Sequence, residues 1–416
     1  MENGCSKSGK KALRRLCPVK LTRGLLDCRL IEHVLLLLAI APFVYYSLAL
    51  FSVWRFFGAK RPAAVSDFTP PVSNLQPIRG LDPEAYENLT SLCRQDYPEY
   101  ELLFCVNSSD DGAVPLIEKL AREFPQRQIR LLVGFGDREN RPGTNDKTMK
   151  LSRLVREARH EVLVMNDSDV RFAPDYLRTV VAPLANPSIG AVTCFYANTE
   201  KSFSDRMQTV GLMSDFYAGL IVARQLDGVK FALGTTIATT RTRLAEFGGY
   251  ESIENRPADD MLVGRLIAER GHSVELLPYA IDVVADYKSF GDLFRQRLRW
   301  LVVMRYMRPW GHFGLLFTHG LAWCAIATAL HPALSAVLGW FGSYLALRIA
   351  IMWSIGIRGL KRPGLWGRMP LIPLWDALAL VLWFTSFTRH SIRWRGGEYS
   401  VRNGRLTPIV PAPNEE

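Results

Sequence analysis

Apolar positions fall into three patterns along the chain. From Ile31 to Phe57 they run nearly unbroken, interrupted by Glu32, His33, Ser47, Ser52 and Arg55. From about residue 73 they come as short runs separated by amphipathic stretches. Beyond residue 312 long runs return, at about 313–332, 334–357 and 370–387, the last interrupted by Pro370, Pro373 and Asp376. The middle pattern predicts strands at 73–78, 101–106, 129–134, 161–166, 189–195, 235–240 and 281–286. It predicts helices at 83–94, 114–123, 147–158, 174–184, 203–224, 241–247 and 259–270. Strands alternating with helices imply a parallel, Rossmann-like α/β sheet.

The first run, 27 residues long, makes a helix of roughly 40 Å against about 30 Å of hydrocarbon. It is too long for a signal-peptide core. A membrane segment is expected at 31–57, with Pro42 a possible kink and Trp54 and Arg55 at one interface. Phe290–Arg308 places Arg295, Arg297, Arg299, Arg305 and Arg308 among Phe, Leu, Trp, Val and Met, a composition suited to a membrane interface. The chain therefore divides into a basic tail (1–30), a membrane segment (31–57), a linker (58–72), an α/β domain (73–288), an amphipathic interface segment (289–310), membrane segments (311–388) and a second basic tail (389–416).

Charge refines this division. The net charge is +11, and many basic residues flank the apolar runs, which points to anionic lipid and not to nucleic acid. No zinc-finger or basic-aromatic RNA signature is present. The seven cysteines are dispersed, with no Cys-x-x-Cys pair, as in a reducing compartment.

Five stretches carry candidate chemistry. The run Val162–Met165 leads into Asp167-Ser168-Asp169, two carboxylates just past a strand end, where open α/β sheets bind ligands. Such oxygen ligands suit Mg2+ or Mn2+ carrying a diphosphate, although Asp-x-Asp is also a common turn. After strand 101–106, Asp110-Asp111 offers a carboxylate to the imide N–H of a uracil base, or makes an ordinary turn. Asn145-Asp146-Lys147 opens a helix, a natural diphosphate seat. Asp259-Asp260 opens another, and an aspartate there is either a cap or a housed catalytic base. In Gln296-Arg297-Leu298-Arg299-Trp300, arginine can hold a departing diphosphate and tryptophan can stack on sugar or acceptor. Interfacial anchoring accounts for the composition of that segment but not for its spacing.

In this order — a first Asp, Asp-x-Asp, a later Asp-Asp, then Gln-x-x-Arg-Trp — the residues resemble the family 2-type glycosyltransferase pattern. Leu81-Asp82-Pro83, Glu87-Asn88-Leu89, Gln95 to Glu101, Arg171 and Pro174-Asp175 bring the resemblance to the ceramide glucosyltransferases of family 21, over about residues 73–305 and again at Trp394–Tyr399. The hopanoid-biosynthesis glycosyltransferases share most of these marks. The resemblance implies a GT-A (Rossmann-like) domain with flanking transmembrane and interfacial helices. It also implies a UDP-sugar donor, Mn2+ or Mg2+, and inverting transfer of a hexose, glucose first, to a lipid hydroxyl, ceramide before hopanoid or diacylglycerol. Asp111 would bind the base. Lys147 would bind the donor, Asp167 and Asp169 would hold metal and diphosphate, and Asp260 would be the general base. Gln296, Arg299 and Trp300 would bind diphosphate and acceptor. Animal ceramide glucosyltransferases tend to read Asp-Ser-Gly where this chain has Asp-Ser-Asp, which brings it nearer the general pattern. A processive polysaccharide synthase, which usually carries more membrane helices, and a non-catalytic scaffold are the rivals.

Topology sets two rules against each other. Nucleotide sugars are cytosolic, so the catalytic domain is expected to face the cytoplasm, yet the eight Lys or Arg of residues 1–30 ask for the same side. Either the first segment is a hairpin bent near Pro42 or the amino end is translocated. The third late run is expected to be interfacial or re-entrant. Glycosylation sequons begin at Asn88, Asn107 and Asn166. Two of them overlap the candidate site and are read as chance, in keeping with a cytosolic face.

Overall fold

The computed structural model describes residues 18–59, 68–136, 143–284, 287, 289–394, 397–402 and 405–409. Most of the first basic tail, most of the linker, the last two residues of the strand expected at 281–286 and the Pro-rich end of the chain lie outside the described residues.

The chain opens with α1 (Pro18–Gly58). The catalytic region then runs β1 (Val72–Pro77), α2 (Ala85–Cys93), β2 (Tyr100–Val106), α3 (Val114–Glu123), β3 (Gln128–Val133), α4 (Asp146–Glu157), β4 (Val162–Met165), β5 (Val170–Arg171), α5 (Tyr176–Val181), β6 (Ile189–Asn198), α6 (Phe203–Gly211), α7 (Tyr217–Asp227), β7 (Ile237–Thr240), α8 (Arg241–Ala245), α9 (Asp259–Glu269) and β8 (Ser273–Val283). The sheet order is β3-β2-β1-β4-β7-β6-β8-β5. β3, β2, β1 and β4 are mutually parallel, so their carboxyl ends, and the loops after them, share one edge.

The sheet is mixed, not wholly parallel as the alternation suggested. β7 is antiparallel to both β4 and β6, and β5 is antiparallel to β8. The strand expected at 281–286 starts far earlier, at Ser273, and pairs along β6 with a two-residue slip at Pro278-Tyr279. Proline has no N–H for a ladder, which is why a strand bulges there. The helix expected at 203–224 is broken by a π turn, Leu212–Phe216, between α6 and α7.

Strand β1 is buried along its whole length although it reads Val-Ser-Asn-Leu-Gln-Pro. Its polar side chains are all engaged. Ser73 donates to Glu101 at 2.6 Å, Asn74 to Asn166 at 2.9 Å, and Gln76 to Asn74 at 2.9 Å. Connected networks of this kind help fix a unique core arrangement, although the Gln76 side-chain oxygen is left without a partner. Here the network ends on Asn166, the residue before Asp167.

After the sheet come α10 (Phe290–Met307), α11 (Pro309–Gly314), α12 (Gly320–Leu330), α13 (Leu334–Met352) and α14 (Ile372–Thr388). Among the described residues three helical stretches are long and apolar enough to cross a membrane: Arg29–Gly58, Leu334–Gly359 and Pro363–Thr388. The run expected at 313–332 is instead two pieces, Pro309–Thr318 and Gly320–Leu330, bent by 49°. The hairpin considered near Pro42 does not form. α1 starts at Pro18, well before residue 31, and continues through Pro42, since neighbouring helices can accommodate the backbone group that a proline frees in an apolar helix.

The second basic tail contains regular structure that its composition did not predict. Ser391–Trp394 (β9), Gly397–Arg402 (β10) and Arg405–Pro408 (β11) form a three-stranded antiparallel sheet. Ile392, Val401 and Leu406 are buried in it against Val302 of α10. Alternation of apolar and polar residues outweighed the basic composition. β11 also reaches back to the catalytic region, where the Leu406 N–H donates to the Asn255 carbonyl at 2.8 Å.

Candidate active site

The site forms where the loops after β1, β2 and β4 meet the starts of α4 and α9. At the end of β4, Asn166 donates to the Tyr176 hydroxyl at 2.6 Å and to the Thr235 carbonyl at 2.9 Å, besides accepting from Asn74. Asp167 therefore leaves a rigid base. Lys147, in the first turn of α4, meets it with a Nζ–Oδ1 distance of 2.7 Å, and lies 3.5 Å from the Asp259 carboxylate. α4 is held in place at Asn145, whose side chain caps Thr148 and donates to the Arg256 carbonyl at 3.0 Å. Burial works against charge on Lys147, but Asp167, Asp259 and Asp260 outweigh it and hold the ammonium well above its ordinary range.

Asp260 enters from the second position of α9. The residue before the helix, Ala258, has φ +54°, a left-handed conformation that costs a non-glycine residue about 1–2 kcal/mol. Such strain clusters where a side chain must be aimed. The Asp260 carboxylate accepts from the Gly234 N–H at 2.9 Å and from the Met261 N–H at 2.7 Å. Burial, and then the adjacent Asp259, push it up to about 6.

Gly234 shows how closely these groups converge. A side-chain carbon there would lie 3.1 Å from Asp260 Oδ2, 3.4 Å from Asp167 Oδ2 and 3.4 Å from Lys147 Nζ. Three charged groups from three elements thus surround one bare backbone position. The sequence reading missed Gly234. Its only signal was a glycine in an apolar run just before a strand.

Asp169 lies at the same mouth, and its carbonyl accepts from the Val284 N–H at 2.7 Å. Burial, then Asp167 and Asp82, raise its carboxyl to about 7. Asp82, in the loop after β1, accepts from the Ser168 hydroxyl. This crowding of carboxylates is the observation that fits a divalent cation, because the oxygen-only donors carry repulsion that a cation relieves. Among the described residues no group of three or more His, Cys, Asp or Glu could hold a metal by itself. The fit is to an ion bound through one or two carboxylates, with diphosphate and water completing the shell, as Mg2+ is commonly held.

Asp111 follows β2 on the same edge. Its carboxylate accepts from the Gly80 N–H at 3.0 Å and the Ala113 N–H at 2.9 Å. It binds the loops after β1 and β2 together, and no hydrogen bond or ion pair among the described residues joins it to the Asp167 cluster.

On α10, the Gln-Arg-Leu-Arg-Trp stretch divides its labour in a way spacing did not reveal. Arg297 is buried, donates to Gln208 Oε1 at 2.6 Å, and lies 4.9 Å from the rings of both Trp300 and Trp375. It pins α10 to α6 and α14. Gln296, Arg299 and Trp300 are half-buried. Arg299 and Asp169 both act electrostatically on Tyr287, and Asp169 and Asp260 both act on Tyr196. These two tyrosines, also missed in the sequence, are within electrostatic reach of both the carboxylates and the arginines of α10.

The chain is similar to known proteins in both fold and sequence. In fold, the chain is similar to a mannosyltransferase from Pyrobaculum calidifontis in complex with GDP-Man and Mn2+, with a TM-score of 0.54 and 23% identity over 82% of this chain and 99% of that one. It thus has a GT-A glycosyltransferase fold. In sequence it is similar to ceramide glucosyltransferase 1 of Caenorhabditis elegans, 24% identical over 61% of this chain and 56% of the relative. A ceramide glucosyltransferase of Komagataella phaffii is 30% identical over 32% of this chain and 28% of the relative. The chain spans about half the length of the first of these relatives, and less of the second. The description of glycosyl transferase family 21 matches residues 34–407, so the chain belongs to that family.

Proposed function

We propose that the chain transfers a hexose, glucose first, from a UDP-sugar to the hydroxyl of a membrane lipid, ceramide first, with inversion. The observation that carries this reading is Asp260. Its carboxylate is held by two backbone N–H groups, raised to about 6, and faces the same point as Asp167 and Lys147. Each carboxylate oxygen can accept more than one hydrogen bond, so the base keeps a lone pair for an incoming hydroxyl. A general base works best with a pKa near the operating pH.

The acceptor oxygen forms a bond to the anomeric carbon, its proton passes to Asp260, and the bond from that carbon to the diphosphate oxygen breaks. One displacement inverts the centre, so a UDP-α-sugar yields a β-glycoside. Lys147 faces the diphosphate and offsets charge that grows on the leaving group, as does Arg299 from α10. A divalent cation on Asp167 and Asp169, Mn2+ or Mg2+, would supply further neutralisation of that charge. Asp111, at the edge shared with Asp167, is assigned to the uracil base, and Trp300 and Gln296 to the acceptor side. The apolar helices hold the site at a membrane, with the catalytic domain on the cytoplasmic face where nucleotide sugars occur. The names of the relatives favour ceramide as acceptor.

The test uses the full chain in detergent with Mn2+ or Mg2+. UDP-glucose, UDP-galactose and UDP-N-acetylglucosamine are offered against ceramide, diacylglycerol and a hopanoid polyol, with products read by mass spectrometry. A β-hexosylceramide is expected. Product on another lipid replaces the acceptor, and a polymer or UDP release alone overturns the reading.

A further inference from the structure

At the junction of the catalytic region with the apolar helices, three segments meet around one point. The Tyr46 hydroxyl donates to the Thr318 carbonyl at 2.7 Å and accepts from the Gly320 N–H at 3.0 Å, gripping both neighbours of His319. Arg348 lies 5.3 Å from the Tyr46 ring and donates to both the carbonyl and the hydroxyl of Ser214, the residue before Asp215. The segments carrying Tyr45, Asp215 and His319 are thus tied together, and Asp215 acts electrostatically on both of the others.

None of the three side chains has a hydrogen-bond partner among the described residues, and in His319 the unpartnered atom, Nε2, is buried. Asp215 makes no hydrogen bond or salt bridge among the described residues, and the Tyr45 hydroxyl makes no hydrogen bond among them. Arg348 and Arg297 offset the Asp215 charge electrostatically, but Arg348 makes no hydrogen bond to it, because its guanidinium is committed to Asp376, at 2.9 Å from Nε, and to Ser214. Unpaired polar groups at an apolar interface are costly and mark functional sites. Asp215 lies on the π turn between α6 and α7, a local widening often found at such sites. The next residue, Phe216, has its ring 6.2 Å from that of Trp300. The π turn that carries Asp215 thus adjoins Trp300, which is assigned to the acceptor side of the proposed reaction.

We infer that Asp215, Tyr45 and His319 form a binding site for the polar head of the lipid acceptor, selecting a head that carries an amide beside hydroxyl groups. A carboxylate accepts from an amide N–H or hydroxyl, while a phenol and an imidazole can donate to an amide carbonyl. A diacylglycerol has no amide N–H for Asp215. This inference rests on the lipid-acceptor reading above.

The experiment measures equilibrium binding of a short-chain fluorescent ceramide, and separately of UDP, to the detergent-purified full chain and to Asp215→Asn and Tyr45→Phe. Asp215→Asn is expected to weaken the ceramide analogue about tenfold, the scale of one charged hydrogen bond, and Tyr45→Phe less. UDP affinity stays unchanged in both, and binding of a diacylglycerol analogue shifts little. Equal ceramide binding in all three proteins, no ceramide binding by the unaltered chain, or parallel loss of UDP affinity would overturn the site. If the analogue binds in an Asp215-dependent way but receives no sugar, the transfer reading fails and the site stands.

Discussion

Lys147 and Asp167 meet at 2.7 Å across the mouth of the sheet, one from the first turn of α4 and the other from the end of β4. The pair joins the proposed diphosphate seat to the proposed metal carboxylate, and each side chain follows a hydrogen-bonded asparagine, Asn145 two residues before Lys147 and Asn166 directly before Asp167. Lys147→Met removes the charge while keeping much of the stem. It is expected to lower kcat/KM for sugar transfer about 100-fold, in the range for loss of one preorganised electrostatic donor, and to weaken UDP binding. Isothermal titration with UDP alongside transfer kinetics checks this; unchanged UDP affinity would remove Lys147 from the donor site.

Asp260→Asn retains the hydrogen-bonding shape of the side chain but not its basicity. Transfer should fall by about 10²–10⁴ while UDP binding is retained. Near-normal turnover would sink the base assignment.

The same residue sets an acid limit. Its carboxyl is raised to about 6 by burial and by Asp259, so the basic form is present above that pH and is lost as pH falls through it. Transfer by the unaltered chain should decline about tenfold per pH unit on the acid side. A flat profile between pH 5 and 7, probed at about half-unit steps, contradicts the assignment.

Gly234 is the space-limiting position. A carbon there already comes within 3.1 Å of Asp260 and 3.4 Å of Lys147. Gly234→Val should abolish transfer while the protein still folds, as judged by its thermal transition in detergent. Activity within about threefold of normal, too little for a displaced catalytic group, would mean that the three groups do not converge in solution.

Away from the site, Asp376 and Arg348 form a buried pair, with side chains 7% and 3% exposed, joined also by the Tyr344 hydroxyl at 2.7 Å. Removing one partner leaves an uncompensated charge, at about 3–5 kcal/mol. Asp376→Leu should lower the thermal transition clearly, and Arg348→Met added to it should restore much of the loss. A double variant no better than the single would show that the pair is not the source of the effect.

Local pattern alone determined much of this molecule. The strands near 101, 129 and 162 were legible because each is a short apolar run with polar ends, and helix 114–123 because its apolar residues recur at helical spacing. The order of the carboxylates was legible as well, since Asp111, Asp167, Asp260 and the Arg-Trp pair stand in a recognisable sequence. Asp376 stood out in the sequence as an interruption of an apolar run. Only the structure supplied Arg348, 28 residues away, as the partner that makes it tolerable.

Relations between distant segments were decided by tertiary structure. Strand direction is not encoded in a strand's own residues, so β7 reads the same whether parallel or antiparallel. The C-terminal sheet was masked by its basic composition, and it forms because Ile392, Val401 and Leu406 find Val302 of α10. Arg297 and Arg299 are indistinguishable in sequence, two residues apart on one helix. Packing buried Arg297 between Trp300 and Trp375 and left Arg299 half-buried. The sequence by itself determined which groups the chemistry could use, because residue type and local spacing are properties of the chain. Which of them meet was left to the fold, because Gly234, Asp167, Lys147 and Asp260 are brought within a few ångströms only by contacts among β4, α4 and α9 that no local pattern contains.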